Sequence, residues 1–332
     1  DFADIKNGLN KEEICVSVSG CNDSQKVHMI QGMSDGFRMK IIATFSDRRV
    51  KELVEDLRLY ERNVYSYPAK DLIFYQADIH GNRLATERIR TLRRIADGLP
   101  LTIVTTFDAL MNAQVPLRIF KEHILQIKKR GIIEESALAA SLVEMGYTRN
   151  YQVEEPGQFS IRGGIVDVFD LTEENPYRIE LWGDEVDSIR SFDILSQRSI
   201  ENLESVSIYP ATEIILSKEE LQTGLKKIEA DMKKNYEVFR GEFKTEEAHR
   251  IKMQVEELKE DLTQLGRMTN LESYIDYFYK DCESFIDLFT REKLLLVLDE
   301  PARIAEHANA VELEFRESMS NRIAKGFLLP GQ

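Results

Sequence analysis

Short apolar runs separated by helical spacing constrain this chain more than any other feature of its sequence. RMKIIATF (38–45), LTIVTTF (101–107) and KLLLVLDEP (293–301) are apolar over most of their length and too short for helices. Such runs mark strands, LTIVTTF a buried one. EICVSVSG (13–20) reads as a further buried strand, followed by a helix from Ser24 to Gly32. Asp47 caps a helix through Tyr60 with Val50, Leu53, Val54 and Leu57 on one face. Another helix, from about Asn82 to Asp97, turns Leu84, Ile89, Leu92 and Ile95 inward. Strand and helix in alternation predict a parallel sheet covered on both faces, an α/β fold.

Between about 150 and 212 the period changes from helical to two. GQFSIRG and YRIELW alternate, TEENPY is rich in turn formers, and Gly183-Asp184 makes a hairpin turn. This predicts a small, mostly antiparallel α+β domain inserted in the first. From Ser217 the chain becomes helical and highly charged, with Ser217 and Glu220 in a capping-box pattern. Only Gly224 and Gly241 interrupt it before Gly266. The charges there read as solvated helix faces.

SVSGCNDSQKVHM (17–29) has the outline of a phosphate-binding loop, which requires Gly, four free positions, Gly, Lys, then Ser or Thr. Gly20 and Lys26 are in place, but Gln25 replaces the second glycine and Val27 the hydroxyl. A Cβ at position 25 hinders the backbone from wrapping phosphates with its N–H groups, and valine cannot ligate Mg²⁺. LLLVLDE ends in Asp299 and Glu300, like a Walker B strand whose aspartate holds that metal. The pair therefore reads as the scaffold of a lost nucleotide site. No catalytic residue and no cofactor is expected.

Composition excludes several functions. Three cysteines with no C-x-x-C pair argue against a disulfide framework or zinc site and fit a reducing cytoplasm. Five scattered histidines offer no metal-ligand spacing. A net charge of −14 runs against strong unaided DNA binding, which draws most of its affinity from neutralised phosphates. There is no run of about 18 apolar residues and no secretory signal. The start at Asp1 and the end just after Leu-Pro-Gly read as a fragment of something longer.

Several stretches carry a family resemblance in order: YPAKDLIFYQADIHGNRLATERIRTL, TIVTTFDALM, VEEPGQFSIRGGIVDVFDLTEENPYRIELWGDEVDSIRSFD, YPATEIIL, NLESYIDYFY and LLLVLDEPARI. Together they resemble the UvrB-homology module at the N-terminus of bacterial transcription-repair coupling factors, the Mfd family. The module is itself similar to the excision-repair helicase UvrB. The resemblance spans nearly the whole chain, and its central block is highly specific.

It implies a RecA-like, degenerate P-loop helicase domain built from 1–127 and 213–332, with 128–212 as an insert that docks on the damage-sensing ATPase UvrA. The function it implies is non-catalytic: recruiting UvrA to stalled RNA polymerase in transcription-coupled repair. RNA polymerase and DNA would be bound through the remainder of the parent, itself an ATP-dependent DNA translocase. The alternative, an ATP-dependent UvrB-like repair helicase, is opposed by Gln25, Val27 and too little sequence in YSYPAKDLIFYQADIHGNR for UvrB's aromatic hairpin. A module that senses nucleotide without cleaving it keeps Lys26 and Asp299 as its support.

Alternation also sorts the insert's side chains. Tyr177, Ile179 and Leu181 share one face with Phe159 and Ile161 as their counterparts, leaving Arg178, Glu180, Trp182, Ser160 and Arg162 on the other. Exposed Trp and Arg are typical of interface hot spots. Arg162, Arg178 and Trp182 match the positions with which the resembled family binds UvrA, with Glu180, Asp184 and Glu185 at the rim. Truncating these outward-facing side chains is expected to leave fold stability almost unchanged; in the opposing reading Trp182 folds back over the sheet and each arginine pairs with a nearby acid.

Overall fold

The computed structural model describes residues 5, 8–9, 15–34, 36–70, 79–264, 271–289 and 293–332. Along the chain run α1 (Asp23–Met33), β1 (Met39–Thr44), α2 (Asp47–Arg58), β2 (Val64–Tyr67), α3 (Ile79–Ala96) and β3 (Leu101–Thr106). Then come β4 (Leu125–Lys128), α4 (Glu135–Glu144), β5 (Thr148–Arg149), β6 (Gln158–Arg162), β7 (Ile165–Val168), β8 (Tyr177–Trp182) and β9 (Glu185–Phe192). The chain continues through β10 (Ser199–Asn202), β11 (Ser205–Ile208), α5 (Lys218–Gly241), α6 (Thr245–Gln264), β12 (Leu294–Leu298) and α7 (Pro301–Ala324). They group into two compact units.

The first unit comprises 1–70, 91–112 and 284–311. Its four-stranded sheet has the order β12-β1-β3-β2, with every pair parallel. All six residues of β1 and of β3 are buried, as their continuous apolar runs require. One face packs Ile42, Val104 and Val64 against Val27 and Ile30 of α1 and Val50, Leu53, Val54 and Leu57 of α2. On Tyr67 at the end of β2 stacks Phe285, at 3.8 Å between ring centroids.

Two local expectations are corrected here. Residues 15–20 of the expected strand form no strand, and of these Val16 alone is half-buried, the others being exposed; residues 13 and 14 lie outside the described residues. Alternating serines leave that stretch one valine face at most, too little apolar surface to hold it in a doubly covered sheet. The cap of α2 is Ser46 and not Asp47: the Ser46 hydroxyl accepts from the Arg49 N–H at 3.3 Å. Part of the stretch 65–83, which leaves too little sequence for an aromatic hairpin of the UvrB kind, lies outside the described residues.

The second unit comprises 71–90, 113–283 and 312–332. Its six-stranded sheet runs β10-β9-β8-β7-β6-β5, antiparallel except for the β5–β6 pair. Phe159, Val166, Val168, Ile179, Val186 and Ile189 from its inner face pack with Leu138 and Leu142 of α4. The carboxylate of Asp170, fully buried, ties the ends of this layer: it accepts from the Tyr209 N–H (2.9 Å) and the Thr172 hydroxyl (2.7 Å).

Beyond it α5 starts at the expected capping box of Ser217 and Glu220. Gly224 sits where a Cβ would come within 2.1 Å of the Phe278 ring, so the glycine permits a close approach inside the helix. The turn into α6 is a Schellman arrangement in which the Lys244 N–H donates to the Phe239 carbonyl (2.9 Å). Its left-handed residue is Phe243 (φ +59), 91% exposed.

Candidate functional site

Two places gather the residues that the sequence singles out, one in each unit. The first lies at the carboxyl ends of β1 and β12, where open parallel sheets place their ligands. Gly20 precedes it with φ +81 and is exposed. Gln25 is the third residue of α1 and closes a capping box with Asn22. The Asn22 side chain accepts from the Gln25 N–H at 2.9 Å, and the Gln25 side chain accepts from the Asn22 N–H at 3.0 Å. Backbone donors that a phosphate loop leaves open for its ligand are thus taken by the loop's own side chains. Val27, in the hydroxyl's place, is 2% exposed and belongs to the core under the sheet.

Lys26 turns to the opposite strand end. Its Nζ donates to Oδ1 of Asp299 at 3.1 Å and to Oε1 of Glu300. Asp299 is buried, and its Oδ2 accepts from Arg49 Nε (2.9 Å) and Thr44 Oγ1 (3.1 Å). Arg49 also donates to Asp23 at 2.8 Å. Burial alone would raise the Asp299 carboxyl, but the hydrogen bonds from Arg49 and Lys26 outweigh it and hold it below its ordinary value. A cavity of about 320 Å³ opens beside this cluster, lined by Lys26, Arg48, Arg49, Glu300, Arg303 and neighbours. Its four basic and three acidic side chains are brought into balance by Asp299. A site neutralised from within has little charge left for a polyanionic ligand.

The second place is the outer face of the six-stranded sheet. Cross-strand partners share a face, so Arg178, Glu180 and Trp182 of β8 stand with Asp167 and Ile165 of β7 and with Arg190, Ser188 and Glu185 of β9. Arg162 joins them through Ile165. The outer placement of Arg162, Arg178, Glu180 and Trp182 is as alternation predicts, but only Trp182 stands free, at 84% exposure.

Arg178 donates Nε and Nη2 to the two oxygens of Asp167 at 2.6 and 2.8 Å, the bidentate fork, and stacks over Phe192 at 4.3 Å. Its guanidinium is held further on the charged side by that hydrogen bond, against the opposing effect of burial. Arg162 reaches the same carboxylate at 3.2 Å and lies over the ring of Tyr151, which is 85% exposed. Glu180 is shared between Ser188 (2.6 Å) and Arg190, and these hydrogen bonds lower its carboxyl despite its partial burial.

Asp167 is thus the centre of the face, fixing two arginines with one nearly inaccessible carboxylate. Of the opposing reading, the arginine half holds, since both pair with Asp167 at the adjacent cross-strand position, whereas Trp182 does not fold back over the sheet. Nothing local in the sequence marks Asp167 or Arg49, although the cross-strand position of Asp167 opposite Arg178 is open to anyone who pairs the strands. The Asn22–Gln25 capping box is readable directly from its N-x-x-Q spacing.

Among the described residues, no group of three or more His, Cys, Asp or Glu side chains could hold a metal ion, and no helix is long and apolar enough to cross a membrane.

Comparison with known proteins bears on both places. Residues 125–214 match the family described as the UvrB interaction domain. A transcription-repair-coupling factor of Bacillus subtilis (strain 168) is 33% identical over 334 residues, covering 99% of this chain and 28% of the relative. One of Staphylococcus epidermidis (strain ATCC 35984) is 29% identical, covering all of this chain and 28% of the relative. One of Staphylococcus aureus (strain MRSA252) is 30% identical over 95% of this chain. The chain spans little more than a quarter of the length of these curated relatives.

Proposed function

We propose that this chain, which is similar along its whole length to transcription-repair-coupling factors of the Mfd family and carries a UvrB interaction domain, is the N-terminal module that recruits UvrA. The outer face of the six-stranded sheet is the contact, with Arg162, Arg178 and Trp182 as anchors and Glu180 at the rim. The observation that carries this reading is the exposed Trp182 beside two arginines held ready by one buried carboxylate. A fixed guanidinium loses little freedom on binding, and an open indole offers a large apolar surface to bury, which is how a small face gains affinity.

In this reading the module does no chemistry of its own. The parallel-sheet unit is a RecA-like domain with a degenerate phosphate loop, and the Lys26–Asp299–Arg49 cluster holds its strand ends together where a nucleotide and its metal would otherwise do so. The domain divides at 127 and 212, and RNA polymerase and DNA are engaged by the rest of the parent protein.

The test is direct binding of the purified chain to purified UvrA, read by calorimetry or interferometry. A saturable complex that Trp182→Ala weakens is expected. A complex of unchanged affinity in the triple variant Arg162→Ala, Arg178→Ala, Trp182→Ala would overturn the reading.

A further inference from the structure

The segment between β4 and α4 holds one side chain outward with unusual care. Arg130 adopts a left-handed conformation (φ +65), and a Cβ on Gly131 would lie 2.8 Å from the Lys128 carbonyl oxygen. The Arg130 N–H donates to the Val186 carbonyl (2.8 Å), the Val186 N–H to the Gly131 carbonyl (2.9 Å) and the Ile133 N–H to the Asp184 carbonyl (2.7 Å). Residues 130–133 are therefore laced along the start of β9 as one more short extended segment. Ile133 points inward to the core of this layer, and Ile132 points outward with 73% of its surface exposed.

Ile132 pairs with Glu185 in an antiparallel bridge, and Glu185 pairs with Trp182. All three side chains share the outer face, in a row across three neighbouring backbones. With strands about 4.8 Å apart, Ile132 and Trp182 stand roughly 10 Å from each other with the exposed Glu185 carboxylate between them. Two large apolar side chains flanking a carboxylate on a hydrogen-bonded ridge are not needed to hold the sheet, whose core lies on its other face.

The geometry points to Ile132, Glu185 and Trp182 as a second, apolar half of the partner-binding face, continuous with the arginine half through Glu180 and Arg178. This rests on the proposed UvrA contact and specifies its chemistry. The partner surface must offer two apolar recesses about 10 Å apart, the spacing of alternate strands, with a lysine or arginine between them to meet Glu185. Charge complementarity fixes that last element, because an apolar surface lacking a cation would bury Glu185 unpaired.

The test uses this chain and purified UvrA, with Trp182→Ala as the reference and Ile132→Thr, Ile132→Glu and Glu185→Lys as probes. Threonine keeps the β-branched shape, so the segment stays in place. Glutamate adds a charge to the apolar recess. We expect Ile132→Glu and Glu185→Lys each to weaken binding about tenfold or more, on the scale of interface hot spots, and Ile132→Thr to weaken it less, all with unchanged melting temperatures. Wild-type affinity in Ile132→Glu and Glu185→Lys beside a weakened Trp182→Ala would overturn this inference and leave the contact standing. Wild-type affinity in all four variants would overturn the contact itself.

Discussion

Arg49 donates its Nε to Oδ2 of Asp299 across 2.9 Å, although 250 residues separate them in sequence. A guanidinium supplied by the protein thus sits on the carboxylate at the end of β12, and Lys26 holds that carboxylate's other oxygen. Positive charge from two helices satisfies that carboxylate from within the protein.

This chain is therefore expected neither to hydrolyse ATP nor to be stabilised by it. A ligand at a hundredfold excess over its dissociation constant adds about 2.7 kcal/mol to the folded state. A melting scan with millimolar Mg-ATP should show no shift. The double change Gln25→Gly and Val27→Thr should lower the melting temperature without restoring turnover. It removes the Gln25 half of the capping box, leaves a glycine in the first turn of α1 at a cost of up to about 1 kcal/mol, and places a hydroxyl in the apolar core around Val27.

The same cluster sets an acid dependence. The Asp299 carboxyl titrates below its ordinary 3.8, so its contribution is complete above that value and is lost as pH falls through the lower folded-state value. For Lys26, burial lowers and the bonds to Glu300 and Asp299 raise the ammonium, with a net rise above 10.5. Its contribution is complete below 10.5 and lost only as pH climbs through the higher folded-state value. Melting temperature against pH should drop below about pH 4 in the wild type, and Asp299→Asn should flatten that limb. Parallel acid limbs in the two proteins would show that Asp299 is not the group responsible.

On the sheet face, Trp182→Ala and Arg178→Ala should separate. Trp182 is almost fully exposed, so its loss should leave the melting temperature within the scatter of surface changes, about 0.5 kcal/mol. Arg178 neutralises a buried carboxylate, and its removal should destabilise the second unit by about 3 kcal/mol. Denaturant curves of the two variants decide the point. Equal midpoints would mean that Asp167 finds adequate company in Arg162 alone.

Phe243 occupies the left-handed position that closes the α5–α6 turn, where glycine normally sits. Phe243→Gly should raise stability by about 1 kcal/mol, because the strain of the ring-bearing residue disappears and no packing is lost from a side chain already in water. Chemical denaturation of the single variant is sufficient to measure it.

The sequence is most legible where one physical signal acts alone. β1 and β3 are covered on both faces, so their apolar runs have no competing reading, and the α2 stripe packs as its spacing requires. The β8–β9 hairpin is equally clear, since period-two alternation and Gly183-Asp184 agree. EICVSVSG fails because alternation with serine mimics a strand without the apolar surface to anchor one in a doubly covered sheet. Arg49, 250 residues from Asp299, is illegible for another reason. A charged side chain reveals its partner only once the sheet brings together positions far apart in the chain.

The Arg162–Asp167–Arg178 triad also bears on speed. Its geometry is complete in the free chain, with both guanidinium groups already set by hydrogen bonds that need no partner. Encounter then requires only that two rigid surfaces meet in the right orientation, a regime of about 10⁵ to 10⁷ M⁻¹s⁻¹. In the proposed complex, variation among variants of this face should therefore fall on the lifetime of the complex and not on its capture.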